Sequence, residues 1–567
     1  MNRFMPEQLD ELLRENVDGS IYLVGAGGCG MSALGHLLLD LGYKIGGSDL
    51  EISTDAAQLI DRGAIITTGH SADHLRGQEP FLLVYSSAIR TDNPELEFAR
   101  RQNLPVVRRA TLLAVLMRRQ QGVCVAGMHG KTTTAAMLAF ALHELKQTPS
   151  YAVGGGIPQL GRHAAFGGDA VISAKARSGF APIVAEETFF VAEADESDGT
   201  LRQFRPRHAI ILNLDEDHLD YFAGLEAIRE EFQIFAGQTT EKLFYCADEP
   251  GLVELFAGRG GAISFGFNPL ATYRIELKAN RGAATGTPGN SFEVWMEDLC
   301  IGRFSIRLMG EKNVSNAGAV VAFLYEAGFN TPEIAGALAR FTGASRRQQL
   351  LYRDEKVCVY EDYGHHPNEI AATLKAFREL RGSRLVVTFQ PHRYSRTQHL
   401  LEEFATCFKE ADVLWMMEVY GAGETPKAGA SSKLLAGAIE ANDQPVRLVH
   451  DAKELVDRMR SEFQPGDVIL FLGAGDITRT AAEFVAGLRE SMNAKLESTA
   501  TQLRERLSAD AIVRVKEPLA RRTTMRVGGP ADLFVEPATE NDLAAVLKFA
   551  DEKSLPLMVL GRGSNLL

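Results

Sequence analysis

The run Gly127-Met128-His129-Gly130-Lys131-Thr132-Thr133 follows an apolar stretch, GVCVA, and opens an apolar helical one. A strand, a glycine turn and a helix start aim backbone N–H groups at an anion. Lys131 could neutralise β/γ-phosphate oxygens, and the Thr132 hydroxyl could ligate Mg2+. The spacing departs from GxxxxGK[ST] because position 125 is Val. The flanking strand and helix still predict a phosphate loop. Glu193 ends the apolar run FFVAE, and His218 follows another, AIILNLDED. Such strand ends lie at the carboxyl edge of a parallel sheet, where α/β proteins bind ligands. A carboxylate and an imidazole beside a phosphate loop suit a Mg2+ site. Asp195, Glu196, Asp198, Asp215 and Asp217 around them read as a solvated acidic loop.

A second glycine turn, Gly25-Ala26-Gly27-Gly28-Cys29-Gly30, follows IYLV, and Asp49 ends the next strand. This turn accepts a diphosphate and fits NAD or a UDP-sugar. The phosphate loop downstream favours a nucleotide-linked substrate over a nicotinamide. Farther on, GASRR (343–347), EDYGHHP (361–367) and QPHRYSRT (390–397) collect charge. Arg347, Arg393 and Arg396 could stabilise anionic substrates or a transferring phosphate. Asp362, His365 and His366 follow a strand and could face a cleft.

These groups need strands and helices to hold them. Strand-then-helix patterns repeat along the chain, which predicts an α/β fold of parallel sheets covered by helices. One block spans 1–118, with strands at IYLVGA, KIGGSD and FLLVYSS. A second spans 119–343, with a β-rich stretch near 260–310 that reads as an accessory sheet. A third spans 344–490, with strands at VCVYED, RLVVTF, DVLWMM and VILFLG. From about Ala481 to Leu507 there is no proline and one glycine, Gly487, which predicts one long helix or two shorter ones, with a linker at 491–512. A different segment, 513–567, stops just after an apolar strand and a Gly-Ser-Asn turn. It reads as the start of a truncated domain.

A length of 567 residues suits three to four domains. With 45% apolar residues the chain can build ordinary cores, and a net charge of −13 argues against a general nucleic-acid binder. The six cysteines lie far apart without a CxxC pair, so neither a zinc knuckle nor a disulfide framework is expected, and a reduced cytoplasm is the simplest setting. The charged, amphipathic N-terminus is no signal peptide. Residues 21–39 lack Asp, Glu, Lys and Arg and approach the length of a membrane span. Five glycines interrupt them, so they read as strand, turn and buried helix.

Taken in order, GAGGCGMS, SSAI (86–89), GMHGKTTT, EADESD, NLDEDHLDY, GEKNVSNA (310–317), FTGASRR, EDYGHHPNE, FQPHRYSRT and GAGDI (473–477) resemble the Mur ligase family, most closely its alanine-adding branch. The resemblance covers about residues 15–485. It implies a three-domain Mur ligase: a Rossmann-like N-terminal domain, a P-loop ATPase central domain and a Rossmann-like C-terminal domain. It also implies that ATP phosphorylates the lactyl carboxylate of UDP-N-acetylmuramate. The amine of L-alanine then attacks the acyl phosphate, giving UDP-N-acetylmuramoyl-L-alanine, ADP and phosphate for peptidoglycan synthesis. A sister or recycling Mur ligase adding a different amino acid or peptide is the alternative; an NAD-dependent oxidoreductase and a non-catalytic nucleotide-binding scaffold are more distant ones.

By the same resemblance, Gly25 to Gly30 would hold the UDP moiety, with Asp49, His70 and Ser87 as further candidates. Gly127 to Thr133 would bind ATP, with Lys131 on its phosphates. Thr132 and Glu193 would hold one Mg2+, and Glu193 with His218 a second. Asn313 and Asn316 would lie on the adenine side, Arg347 and Asp362 beside the nucleotide, and His392, Arg393 and Arg396 near the muramoyl carboxylate and amino acid. Lys131, His218, Arg347 and Arg393 would be catalytic. The base that takes the amine's proton stays open between His218, His366 and solvent, and domain closure over ATP is expected. Sister ligases carry a modified lysine near the position that is Gln233 here, which suits the alanine-adding branch. Glu361 replaces the first Asp of the common Asp-Asp-Tyr-Gly. No nucleic-acid or membrane partner is expected, and the oligomeric state stays open between monomer and dimer.

The tail, TTMRVGGPADLFVEP (523–537) with LGRGSNLL (560–567), resembles the start of the UDP-N-acetylenolpyruvoylglucosamine reductase family. Gly561, Arg562, Gly563, Ser564 and Asn565 would then belong to a turn on the FAD pyrophosphate. That family's catalytic residues lie farther on, so FAD is expected only in a longer product and no reductase activity from this chain.

Overall fold

The structure is a computed structural model that describes residues 5–168, 188–195, 199–215, 222, 224–278, 289–380, 383–524 and 526–561. The chain folds as two compact units. One comprises Met1–Leu448 with Pro465–Gly475, the other Val449–Gln464 with Asp476–Leu567.

The larger unit holds three sheets. The first contains β1 (Ser20–Val24), β2 (Lys44–Asp49), β3 (Ile65–Thr68), β4 (Leu82–Tyr85) and β5 (Val106–Arg108), all parallel, in the order β3-β2-β1-β4-β5. The winding reverses between β1 and β4, which opens a crevice at their carboxyl ends. The glycine turn leaves β1 there and leads into the helix Cys29–Asp40, buried from Met31 to Leu38. The charge-free stretch 21–39 is therefore strand, turn and core helix. Among the described residues no helix is long and apolar enough to cross a membrane.

The second sheet runs through β6 (Gln121–Ala126), β7 (Ser150–Ala152), β8 (Ala164–Ala165), β9 (Phe189–Glu193), β10 (His208–Ile211), β11 (Lys242–Cys246), β12 (Ala262–Gly266), β13 (Tyr273–Lys278), β14 (Asn290–Met296) and β15 (Leu299–Ile306). Its order is β15-β14-β13-β12-β11-β10-β6-β9-β7-β8. β6 is flanked by β9 and β10, both parallel to it, so three strand ends converge on one edge. The stretch 260–310 does not form a separate sheet. β12 joins β11, and the antiparallel β13, β14 and β15 extend the same sheet. An open β11 edge would leave a row of unpaired N–H and C=O groups. The helix Glu311–Glu326 covers this extension closely: a Cβ at Gly318 would fall 2.2 Å from Ile275 Cδ1.

The third sheet contains β16 (Gln349–Arg353), β17 (Val357–Asp362), β18 (Leu385–Phe389), β19 (Val413–Met416), β20 (Val446–Leu448) and β21 (Asp467–Leu472). Its order is β16-β17-β21-β18-β19-β20, parallel except for β16. Its core includes Val387, Phe389, Leu414, Leu470 and Leu472.

In the smaller unit the helix Ile477–Arg504 runs unbroken for 28 residues. A linker beginning at 491 would cut this helix in its middle, so that expected boundary does not coincide with a structural one. β22 (Ile512–Pro518) and β23 (Pro530–Glu536) pair antiparallel, and the helix Glu540–Glu552 starts with a capping box between Thr539 and Asp542. Val513, Val535, Val546 and Phe549 pack with Leu503. The strand expected just before Gly561 is not formed. Leu557, Met558 and Val559 are 49%, 76% and 78% exposed in irregular chain, with no strand pairing among the described residues. A lone apolar run gains little without a neighbour to take its backbone hydrogen bonds. Arg562, Gly563, Ser564 and Asn565 lie outside the described residues.

Candidate active site

The loop after β6 is shaped by two glycines with positive φ. Gly127 has φ +132°, and a Cβ there would lie 3.1 Å from the Asn213 nitrogen. Gly130, at φ +85°, caps the helix Lys131–Glu144 in the left-handed region that favours glycine. Asn213, just past β10, braces the loop: its Oδ1 accepts from the His129 N–H at 2.8 Å, and its Nδ2 donates to the His129 carbonyl at 2.9 Å. Lys131 Nζ donates to the Gly127 carbonyl at 2.6 Å and weakly to that of Met128 at 3.4 Å. The amine thus sits over the loop, where an incoming phosphate would compete for it.

Glu193 is placed by the end of β9 and meets Thr132, as expected. Its Oε2 accepts from the Thr132 hydroxyl at 3.2 Å and its Oε1 from the Gly154 N–H at 2.6 Å. Burial pushes the Glu193 carboxyl up, against the pull of Gly154, Lys131, Arg347 and Thr132. The run Gly154-Gly155-Gly156, which sequence reasoning passed over, brings the loop after β7 against this pair. A Cβ on Gly154 would lie 2.8 Å from Glu193 Oε2, and one on Gly156 2.6 Å from Ser345 Oγ. His218 falls outside the described residues.

The His129 side chain meets Glu369 and Asp215. Its Nδ1 lies 3.1 Å from Glu369 Oε1 and its Nε2 3.1 Å from Asp215 Oδ2, while Asn368 Nδ2 donates to the same Asp215 oxygen at 2.7 Å. Burial pulls the imidazole down, but its bonds to Asp215 and Glu369 prevail and raise it. The bond to His129 holds Asp215 well below the carboxylate range. Burial would raise Glu369, but the hydrogen bond from His129 together with the charges of His129, His365 and Arg347 outweighs it and holds the carboxyl far down. The solvated-loop reading therefore fails for Asp215: it is one arm of a latch between the second and third sheets.

Beside this latch lies a cavity of about 240 Å³ whose walls include His129, Gly130, Thr133, Asn313, Asn316, Arg347 and Asp362, bringing seven predicted residues together. Asn313 Nδ2 donates to the Met309 carbonyl at 2.9 Å, and Asn316 packs against Gly130. Lys312 also lines the cavity, and burial lowers its amine. Asp362 accepts from the Gln348 N–H and the Gly364 N–H, each at 2.8 Å, and burial raises its carboxyl. Arg347 lies over the Tyr363 ring at 5.0 Å. Glu361 has a clear use for its longer side chain: it reaches Arg346 Nε at 2.9 Å, and that guanidinium also donates to the Gly473 carbonyl at 2.9 Å.

A larger cleft of about 920 Å³ opens from the same centre. Lys131, Thr132, Glu193 and Arg347 form one wall, and Gly28, Cys29, Gly30 and Ser87 the opposite one. Gly25, Ala26 and Gly27 build the turn behind that wall. Asp49 serves the turn rather than the cleft: its carboxylate accepts from the Gly27 and Leu50 N–H groups, each at 2.7 Å. His70 does not line the cleft. Its Nδ1 is 2.9 Å from buried Glu95, which also accepts from Tyr22 at 2.8 Å and Ser48 at 2.7 Å. His392, Arg393 and Arg396 line neither cavity. They cluster past β18, joined to the cleft residue Tyr363 through ring contacts of Tyr363 with His365 (5.2 Å) and of His365 with His392 (5.8 Å). Burial with the nearby Arg396 lowers His392 to about 4, and burial lowers His365 to about 3, so both rings are neutral at pH 7.

Three family models match the chain. "Mur ligase family, catalytic domain" covers 20–121, "Mur ligase middle domain" 125–324, and "Mur ligase, glutamate ligase domain" 346–475. The chain is 40% identical over 476 residues to a UDP-N-acetylmuramate–L-alanine ligase of Anaeromyxobacter sp. (strain Fw109-5), covering 83% of this chain and 98% of the relative. It is 38% identical to the protein of the same name from Syntrophotalea carbinolica, covering 81% and 95%. The crystal structure of a UDP-N-acetylmuramate-alanine ligase from Thermotoga maritima superposes with a TM-score of 0.69 at 28% identity, covering 83% of this chain and all of that one. With its three sheets, its phosphate loop and these relatives, the chain belongs to the Mur ligase family.

Proposed function

We propose that this protein joins L-alanine to UDP-N-acetylmuramate with conversion of ATP to ADP and phosphate. The observation that carries the reading is the larger cleft. There a lysine-bearing phosphate loop, a Thr132–Glu193 pair and Arg347 face the glycine turn of the first sheet. Relatives at 38–40% identity carrying that activity in their names support the choice of substrate. On this reading residues 1–118 would take the sugar nucleotide, 119–343 ATP, and 344–490 would form the third domain.

Carboxylate and hydroxyl oxygens form a hard donor set that suits Mg2+. Thr132 and Glu193 would hold one ion, and His218 with Glu193 a second. Bound there, Mg2+ would neutralise charge on the transferring phosphate. The chain's own part is positional. With the His129 N–H held by Asn213, the other N–H groups of Gly127 to Thr133 face the phosphates, Lys131 leaves its loop carbonyls for the γ-phosphate, and Asn313, Asn316 and Asp362 bound the nucleoside. Gly25 to Gly30 and Ser87 seat the diphosphate of the sugar nucleotide, with Asp49 and His70 holding the turn and the sheet behind it.

The lactyl carboxylate attacks the γ-phosphorus in line, the β–γ bridging oxygen departs with ADP, and an acyl phosphate remains. The neutral amine of alanine then adds to the acyl carbon and phosphate leaves. Arg347 screens the meeting of carboxylate and phosphate, two anions that repel in a water-poor cleft. Arg393 and Arg396 supply charge for the amino acid's carboxylate, and the neutral His365 and His392 add no repulsion against its ammonium.

Phosphate release measured against a panel of amino acids with UDP-N-acetylmuramate tests the proposal. Release with L-alanine far above the others supports it, and preference for another amino acid or for a tripeptide overturns it. The 513–567 segment we assign to the beginning of an FAD-binding reductase domain, on the strength of its MRVGGPADLFVEP and GRGSN runs.

A further inference from the structure

Cys29, Asp55 and His163 each offer one ligand atom, and those atoms lie within 4.8 Å of one another. They come from separate elements. Cys29 opens the helix Cys29–Asp40, Asp55 lies in the helix Thr54–Asp61 of the same lobe, and His163 sits just before β8 in the second sheet's lobe. All three line the larger cleft. Ser32 fixes the imidazole, its hydroxyl standing 3.0 Å from His163 Nε2 while donating to the Cys29 carbonyl at 3.0 Å. Such an outer hydrogen bond is what orients a metal-ligating histidine.

We propose that Cys29, Asp55 and His163 form a site for one borderline-soft divalent cation of the Zn2+ class, tying the first lobe to the second across the substrate cleft. A thiolate, an imidazole and a carboxylate select zinc over magnesium, whereas the oxygen pair at Glu193 and Thr132 suits magnesium. Tetrahedral bonds of about 2.0–2.3 Å call for donors about 3.3–3.8 Å apart. Side-chain shifts of about an ångström would reach that spacing, and three protein ligands leave a fourth position open to water or a substrate oxygen. Burial, with Asp55 and Glu193 nearby, pushes the Cys29 thiol up to about 12, so the free thiol is protonated and zinc binding must release that proton to solvent. Because the site occupies the wall assigned above to the sugar nucleotide, zinc would slow the ligase. That consequence alone rests on the proposed function.

The full chain, dialysed against Zn2+ in excess Mg2+, is expected to retain one equivalent of zinc, and with Co2+ to show a thiolate-to-metal charge-transfer band. Cys29→Ser should abolish the band and the retained zinc, and His163→Gln should lose the zinc while circular dichroism verifies its fold. No retained zinc overturns the site. Equal retention in both variants means an adventitious ion only and overturns it as well. Stoichiometric zinc that leaves phosphate release unchanged upholds the site and overturns its effect on the ligase.

Discussion

At the scale of single residues, the barrier to joining two anions is electrostatic, and Lys131 is the nearest mobile cation on the phosphate loop. Removing one preorganised contact of this kind typically costs about 3–4 kcal/mol, or roughly 10²–10³ in rate. Lys131→Ala is therefore expected to lower kcat by that factor with an unchanged melting temperature, and near-normal ADP formation would contradict its role. Arg396→Ala should act on the amino acid, raising KM for L-alanine far more than KM for ATP. The Thr132–Glu193 meeting was legible beforehand because a strand end and a helix start are both visible as apolar runs. Asn213, Lys312 and the latch partner Glu369 were not singled out, because their roles come from partners far away in the chain. Glu369 lies 240 positions from His129, and no local pattern marks such a pair.

The latch also sets a pH window. His129 is raised above its ordinary 6.5, so its contribution is complete below that pH and fades as pH rises through the higher folded value. Asp215 and Glu369 are lowered from 3.8 and 4.5, so theirs is complete above those values and fades as pH falls through the lower folded ones. The stability difference between the wild type and His129→Ala should thus be largest between pH 4.5 and 6.5 and shrink toward alkaline pH. Within that window the loss should be about 3–5 kcal/mol, as for a buried pair deprived of one partner. A difference independent of pH in melting experiments would mean that His129 acts only through packing.

At the scale of elements, strand ends and one glycine loop make the corner where Thr132 and Gly154 meet Glu193. Gly154 is the tightest point, since a Cβ there meets Glu193 Oε2 at 2.8 Å. Gly154→Ala should displace the carboxylate and weaken Mg2+ binding by about 10–100-fold, the usual effect of disturbing a ligand's support. A Mg2+ titration of activity measures this, and an unchanged midpoint would contradict the placement. Strands that carry motifs were readable from their apolar runs. Short edge strands such as β8, with two residues, carry too few residues to show a pattern. The run before Gly561 illustrates the converse: apolar residues suggest a strand, but a strand needs a neighbour.

At the scale of the whole chain, the helix Ile477–Arg504 is buried in two separate stretches. Ile477, Ala481, Phe484 and Leu488 are buried at its start, Ala500 and Leu503 near its end, and 489–499 include no fully buried residue. The family matches end at residue 475. A chain stopped at residue 495 should keep the first buried stretch and its ligase activity while losing the tail. Loss of turnover together with an intact melting transition would mean that the tail serves the site.

The account stands on a carboxylate made reactive by phosphorylation. UDP-N-acetylmuramate labelled with 18O in its lactyl carboxylate, incubated with ATP, Mg2+ and L-alanine, tests this by mass spectrometry of the phosphate released. One 18O atom in each phosphate is the predicted result, and unlabelled phosphate accompanying labelled product would contradict it.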